Sequence, residues 1–177
     1  MDNQNQQVEI IKYNSNKKYD YSEFDCGVES INNYLRENLD RDFKHSLSVP
    51  YLLVMDNEIV GFFTLSSHAI EKNELKGAFK SNSSYKQVSS IIIGKLAVDI
   101  KYQGQGLGKI LLGNAISTSW KSSRDVGTRA VVLHAREGKE SFYKEAGFIQ
   151  GKKDLSLFIY PLKQYEDELL RRIAKVR

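Results

Sequence analysis

The sequence predicts an α/β fold, with α+β character, in which helices flank a mixed central β-sheet. Two observations support this prediction. Apolar, β-branched runs alternate along the chain with segments of helical periodicity. In addition, a glycine-rich segment joins one such run, Ile91 to Val98, directly to a helical pattern that begins at Leu107. The expected element order is β-α-β-β-(α)-β-α-β-α-β.

The N-terminal third predicts one strand and one helix. Val8 to Tyr13 is rich in strand-forming residues and predicts the first strand. A helix is expected to begin at Asp25 or Gly27. Its apolar face consists of residues spaced by four, namely Ile31, Leu35 and Leu39.

Pro50 is expected to break the chain before a hairpin. The hairpin strands are predicted at Tyr51 to Met55 and at Ile59 to Leu65, around a turn at residues 56–58. The polar stretch from Ser66 to Gln87 predicts a short helix and a mobile loop, with residues 81–85 the most mobile.

The second half predicts a strand before the glycines, a helix to about Trp120, and a strand from Ala130 to His134. A short helix should run from Glu140 to Ala146 and end at Gly147. Leu155 to Tyr160 is the last predicted strand, interrupted by Pro161. Residues 162–177 predict a charged helix that could dock through Leu169, Ile173 and Val176.

Length and composition indicate one globular domain, residues 1–177, with its core at about 8–160. No apolar run reaches the ~20 residues of a membrane span, and the polar N-terminus does not resemble a signal peptide. The single cysteine, Cys26, fits a reducing cytoplasm. A net charge of +4 is a mild indication of an anionic partner.

Residues 103–108, Gln-Gly-Gln-Gly-Leu-Gly, form a strand–glycine loop–helix junction of the kind that binds phosphate. Glycines allow close backbone approach, and the N–H groups at a helix start face an anion. Ile110 stands where a P-loop needs Ser or Thr, which excludes that motif. The glycine spacing also differs from the dinucleotide-binding fingerprint.

Two segments identify a family. Gln103 to Gly108 resembles the Q/R-x-x-G-x-G/A loop of GNAT-type N-acetyltransferases, and Phe142 to Phe148 resembles their F-Y-x-x-x-G-F signature. The resemblance covers about residues 8–160. It implies the GNAT fold, with a sheet that splays apart at the acetyl-CoA site and no metal.

The resemblance also implies site residues. The expected acetyl-CoA contacts are Leu96, Ala97, Val98, Gln103, Gly104, Gln105, Gly106, Leu107, Gly108 and Lys109. Strand N–H groups near Leu96 to Val98 would polarise the thioester carbonyl. Lys109 would add charge near a phosphate, although an exposed helix lysine is an equal alternative. Tyr143 would protonate the leaving thiolate as the catalytic acid.

Further motifs narrow the family. Phe24 to Leu35, Gly61 to Ser66, Leu96 to Asp99 and His134 to Arg136 resemble segments of GNAT toxins from bacterial toxin–antitoxin pairs. The resemblance implies acetylation of the α-amine of aminoacyl-tRNA, arrest of translation, and a small DNA-binding antitoxin of the ribbon-helix-helix type. The Ser- and Lys-rich loop before the fourth strand and the charged tail depart from this pattern.

The sequence does not identify the amine that accepts the acetyl group or the residue that would act as its general base. His68, Glu71, Glu74 and His134 are candidate bases, each better explained as structural or solvated. An α-amine with pKa ~8 has less need of a general base than a lysine with pKa ~10.4, because more of it is already neutral at cellular pH. Cations available to tRNA are Arg36, Arg41, Lys44, Lys76, Lys80, Lys86, Lys139 and Lys144. The alternatives are an enzyme that acetylates a small or protein amine, and a non-catalytic acyl-CoA-binding module. The sequence leaves the oligomeric state open, with a homodimer as one possibility.

Overall fold

A computed structural model describes residues 8–55, 58–81 and 84–175. Its helices are α1 (Glu29–Asn33), α2 (Leu39–Lys44), α3 (Gly77–Ser81), α4 (Leu107–Ser122), α5 (Glu140–Glu145) and α6 (Leu162–Ala174). Its strands are β1 (Val8–Lys12), β2 (Val49–Met55), β3 (Glu58–Glu71), β4 (Gln87–Val98), β5 (Ala130–His134), β6 (Ile149–Gln150) and β7 (Leu157–Pro161). They form one seven-stranded mixed sheet in the order β1-β2-β3-β4-β5-β7-β6. The predicted α/β class with a mixed sheet is confirmed.

The chain divides into two compact units. The first comprises Met1–Ser66 and Lys95–Gly113, and the second comprises Ser67–Gly94 and Asn114–Arg177. Because the boundaries fall inside β3, β4 and α4, these elements contribute residues to both units.

In the first unit, β1 and β2 pair antiparallel, as do β2 and β3. A π-helical turn, Tyr34–Asn38, joins α1 to α2. A repeat of four residues exceeds the 3.6 residues of an α-helical turn, and the wider π turn takes up this excess. Leu35 and Leu39 thus both reach the core, where they join Leu52 and Phe62.

In the second unit, β7 pairs antiparallel with β5 and with β6. A core cluster forms around residues of β5 and β7, including Val132 and Ile159. β4 pairs in parallel with β5 only from Ser90 to Ile92, although β4 continues to Val98. The pairing between β4 and β5 therefore covers three residues of each strand.

Several predicted boundaries were wrong. Pro50 lies inside β2, where its carbonyl accepts from Tyr13 N at 2.9 Å, because proline lacks only the N–H and can still accept. β3 continues six residues past Leu65, and Ile70 on this extension is buried in the core of the second unit. The hairpin turn at 56–57 and residues 82–83 of the expected mobile loop lie outside the described residues.

The C-terminal elements differ in a similar way. The last strand begins at Leu157 rather than Leu155, and Pro161 ends it and precedes α6 instead of interrupting it. The two-residue strand β6 was not predicted, because so short a segment has no periodicity. Among the described residues, no helix combines the length and the apolar character that crossing a membrane requires.

Candidate active site

The glycine loop lies in the first unit, between a 3-10 turn at Ile100–Tyr102 and the start of α4. Gly104 and Gly106 have φ of 77° and 83°, in the left-handed region that side chains disfavour. A Cβ at either position would meet no atom within 4 Å. Backbone conformation, not crowding, therefore explains why glycine stands at these two positions.

The loop exposes a row of backbone donors. Lys109 N and Ile110 N both donate to Gly106 O, at 3.0 and 3.2 Å. In the described part of the chain, the N–H groups from Gly104 to Gly108 donate to no acceptor. Leu107 is buried and fixes the helix start. Unused N–H groups at the positive end of a 16-residue helix form a site for an anion.

Asp99 holds the base of this loop. Its side chain is buried, with 1% of the residue exposed. Its Oδ1 accepts from Lys101 N at 2.8 Å, and its Oδ2 accepts from Asp25 N at 3.0 Å. This supporting role of Asp99 was not predicted from the sequence. The signal for its role was a lone acidic residue directly after a buried strand.

Gln103 faces the protein backbone. Its Nε2 donates to Val98 O at 2.9 Å and to Cys26 O at 3.2 Å. Both amide hydrogens thus have acceptors in the protein, so this side chain positions the loop. A direct contact between Gln103 and acetyl-CoA stays a prediction. Gln105, by comparison, is exposed and donates weakly to Lys101 O at 3.4 Å.

The Phe24–Leu35 motif forms the support behind the loop. Asp25 Oδ1 accepts from Gly27 N at 2.7 Å and from Asn32 Nδ2 at 2.8 Å, and Asn32 Oδ1 accepts from Cys26 N. The bond from Gly27 N, followed by those from Asn32 and the charge of Arg36, lowers the pKa of Asp25. Asp25 O also accepts from Ile100 N at 2.8 Å. This motif is therefore structural support for the glycine loop.

The strand before the loop is closely packed. Ala97 and Val98 are buried, and Leu96 is half-buried. A Cβ at Gly61 would lie 2.9 Å from Ala97 O and 3.0 Å from Leu111 Cδ1, which explains the glycine in this motif. Lys109 is exposed on the first turn of α4.

Tyr143 lies in the second unit, on α5. Gly147 N donates to Lys144 O and Phe148 N donates to Tyr143 O, both at 3.0 Å. With φ of 90° at Gly147, these bonds form a Schellman C-cap that fixes the end of the helix. The F-Y-x-x-x-G-F signature is therefore a helix with its cap.

The Tyr143 ring is half-buried among Phe142, Phe148 and Phe158, with ring centroids 5.1, 5.9 and 5.9 Å away. Its hydroxyl makes no hydrogen bond within the part of the chain that the structure describes. Burial raises the pKa of Tyr143 above 10.0. The phenol thus keeps its proton at neutral pH and has it available for a ligand.

The candidate bases, all in the second unit, differ in their partners. Glu74 Oε2 accepts from Lys153 N at 2.8 Å and from Asp154 N at 3.1 Å. Glu71 accepts from Gln87, and His134 Nδ1 lies 3.0 Å from Ser156 Oγ. Burial, and then the charge of nearby His134, lowers the pKa of His68, so His68 is neutral at pH 7.

The structure gathers part of the predicted site. Leu96 to Lys109 form one arrangement in the first unit, whereas Tyr143 belongs to the second. Among the predicted cations, Arg36 donates to Phe24 O at 2.7 Å, and Lys44 pairs with Asp40 at 2.7 Å. Among the described residues, no group of three or more His, Cys, Asp or Glu could hold a metal ion.

Residues 48–150 match the family model of the acetyltransferase (GNAT) domain. A tRNA-acetylating toxin of Mycobacterium tuberculosis is 31% identical over 130 residues, which cover 73% of this chain and 78% of that protein. The chain is also similar to a tyrosine-to-phenylalanine mutant of KacT, with 31% identity and a TM-score of 0.87 over 92% of this chain and 99% of that one.

AtaT is a third relative. The structure of AtaT complexed with acetyl-methionyl-tRNAfMet is similar to this chain with a TM-score of 0.88 and 28% identity. The match covers 92% of this chain and 99% of the AtaT chain. A tyrosine-to-phenylalanine mutant of AtaT, bound to the C-terminus of the antitoxin AtaR and acetyl-CoA, gives 0.78 at 28% identity over 90% and 96%.

Proposed function

This chain belongs to the GNAT family of acetyltransferases, and we propose that it acetylates the α-amino group of an aminoacyl-tRNA and so arrests translation. The observation that best supports acetyl-CoA as the donor is the row of unused N–H groups from Gly104 to Gly108. The similarity to a tRNA-acetylating toxin and to tRNA-bound AtaT supports the acceptor.

In this proposal the glycine loop binds the pyrophosphate of acetyl-CoA. The N–H groups of Gly104, Gln105, Gly106, Leu107 and Gly108 donate to its oxygens, and exposed Lys109 adds positive charge. The Gln103 side chain acts indirectly: its hydrogen bonds to Val98 O and Cys26 O hold the loop in position. The acetyl-CoA seen with the AtaT mutant supports this ligand.

The reaction needs a polarised carbonyl and a proton for the leaving group. We assign the polarisation of the thioester carbonyl to the backbone N–H groups of Leu96, Ala97 and Val98. The amine nitrogen attacks the thioester carbon, the C–S bond breaks, and the thiolate takes the Tyr143 proton. The proton that the amine loses restores the phenol. A hydroxyl without a partner and a raised pKa suit Tyr143 to this role.

An α-amine suits a site without a dedicated base. Its pKa of ~7.7–8.0 leaves a substantial neutral fraction at cellular pH. Glu71, Glu74 and His134 already have protein partners. Burial lowers the pKa of His68, so this side chain is neutral at pH 7 and holds a proton less strongly than an exposed histidine.

Partners and organisation complete the proposal. The AtaR complex of AtaT supports an antitoxin partner, which we propose to be a small ribbon-helix-helix DNA-binding protein. We further propose a cytoplasmic enzyme, because charged tRNA is found there, and a homodimer as its assembly. The family match runs through both units, which supports one domain over residues 1–177 with its core at 8–160.

The test is direct acetylation of total charged tRNA. Protein, acetyl-CoA and aminoacylated tRNA are incubated, and the released amino acids are analysed by mass spectrometry. We expect N-acetyl-aminoacyl products that are absent with the Tyr143→Phe variant. Acetylation of a free polyamine or of a protein N-terminus, with charged tRNA unmodified, would establish the rival enzyme class. Acetyl-CoA binding without any turnover would establish the regulatory module.

A further inference from the structure

The second unit contains a cavity that none of the residues assigned to acetyl transfer lines. Its volume is about 620 Å³. Its wall includes Trp120 on α4, Arg124 just after α4, Arg129 before β5, and Lys163 and Glu166 on α6. This volume is in the range of small-molecule sites.

Arg129 is the most informative residue of this cavity. Its guanidinium carbon lies 4.5 Å from the centroid of the Phe79 ring. Its Nη1 is buried and, within the described chain, donates to no acceptor. Its backbone is fixed, because Arg129 N donates to Ser89 O and Arg129 O accepts from Leu162 N, both at 3.0 Å. A buried charged donor without an acceptor is unfavourable, and a bound anion would relieve it.

A second guanidinium repeats the arrangement. Arg124 lies 5.9 Å from the Trp120 ring, and its Nη1 is 3.2 Å from Glu166 Oε1. Lys163 binds the same carboxylate at 2.9 Å. Glu166 thus serves two cations, while Arg129 has no carboxylate partner in the described structure. The cavity therefore carries an excess of positive charge.

Aromatic rings line the rest of the opening. Phe79 and Trp120 each carry a guanidinium over the ring, and Tyr85 is 77% exposed at the cavity. Flat rings beside guanidinium groups suit a ligand with a planar aromatic part and an anionic part. An acidic peptide side chain would use the cations but not the exposed ring of Tyr85. A nucleotide satisfies both.

We propose that this cavity binds an unpaired nucleotide of the tRNA substrate, with its phosphate on Arg129 and Arg124 and its base against Trp120 or Tyr85. The inference rests on the proposed function, since it supplies that enzyme with a contact for single-stranded RNA. Stacking together with charge is the usual way in which proteins hold an unstacked base.

The test compares tRNA affinity in matched variants of the full chain. Arg129→Gln and Arg124→Gln each remove one cavity cation, and Arg129→Lys keeps the charge but removes the planar group. Lys121→Gln, at an exposed position on α4 that does not line the cavity, is the control for net charge. Affinity for charged tRNA without acetyl-CoA is measured by fluorescence anisotropy, and KM and kcat are measured separately.

We expect Arg129→Gln to weaken tRNA binding by about tenfold, the scale of one charged stacking contact, and to raise KM for tRNA equally. kcat and the KM for acetyl-CoA should stay unchanged. Arg124→Gln should act in the same direction and, being exposed, gives the answer even if Arg129→Gln does not fold. Lys121→Gln should change affinity by less than about threefold, and Arg129→Lys should be intermediate.

Three outcomes would overturn the proposal, and they separate it from the proposed function. If both arginine variants acetylate charged tRNA like the wild type and bind it with unchanged affinity, the proposed role of the cavity is refuted and the proposed function is kept. Tight binding of free nucleoside monophosphates, lost in Arg129→Gln while tRNA binding is kept, would indicate a small-nucleotide site. Failure of the wild-type protein to bind or acetylate tRNA would remove both.

Discussion

Tyr143 combines a buried ring with a hydroxyl that donates to no partner in the described structure. The Schellman cap at Gly147 fixes the end of α5, and three phenylalanine rings surround the tyrosine ring. Such a tyrosine loses little packing when its oxygen is removed. Replacing it by phenylalanine therefore separates its chemistry from its structural role.

Tyr143→Phe is expected to lower kcat by about 10²-fold or more, the scale for the loss of a general acid, with acetyl-CoA affinity little changed. Steady-state kinetics and calorimetry would measure the two quantities. Phe142→Leu, on the same helix, is the control for altered packing alone. Turnover within a few-fold of wild type in Tyr143→Phe would return this residue to a purely structural role.

The pH dependence of the rate also tests Tyr143. A general acid must be protonated, and burial raises the pKa of Tyr143 above 10.0, so its contribution is lost only as pH rises past that value. Between pH 6 and 9 we expect kcat/KM to rise as the acceptor amine, with pKa ~8, loses its proton. A fall within this range would contradict the assignment.

The junction of β4, the glycine loop and α4 is supported from one side. Asp99 and Gln103 connect it to the Asp25–Cys26 backbone. The other side presents the N–H groups from Gly104 to Gly108. This division explains how a loop rich in glycine keeps one conformation while its donors stay available.

Gly106→Ala and Gly106→Asp test this element. Because φ is 83° and a Cβ would meet no atom within 4 Å, alanine should cost about 1–2 kcal/mol of backbone strain without a steric clash. Aspartate adds a negative charge beside the pyrophosphate and should abolish acetyl-CoA binding measured by calorimetry. Gly113→Asp, on an exposed position of α4 with open space around it, is the matched control. Equal affinity in Gly106→Asp and Gly113→Asp would refute the loop assignment.

The net charge of the protein, +4, favours an anionic substrate. If this substrate is aminoacyl-tRNA, the rate at limiting tRNA should fall steeply with salt, because each phosphate contact displaces counterions. The KM for acetyl-CoA should depend on salt far less. Expression of the wild-type chain alone should arrest translation, and Tyr143→Phe should relieve the arrest. A rate that is insensitive to salt, in cells that keep growing, would point to a small-amine acetyltransferase.

The α/β class, the position of the glycine loop and the α5 cap could be predicted from the sequence, because each depends on residues close together in the chain. Glycines at 104, 106 and 147 report local backbone conformation, and every one of them has positive φ. Apolar periodicity likewise located the buried face around Leu35 and Leu39.

Contacts between distant segments determine which side chains hold the glycine loop in place and which groups stay available to a ligand. Asp99 meets Asp25 across 74 positions of the chain, and Gln103 reaches Cys26 across 77. No local pattern encodes such pairs, because they depend on where distant segments pack. The full length of β3 could not be predicted either, because its exposed residues lack periodicity. The cavity around Arg129 could not be predicted because its walls come from separate elements.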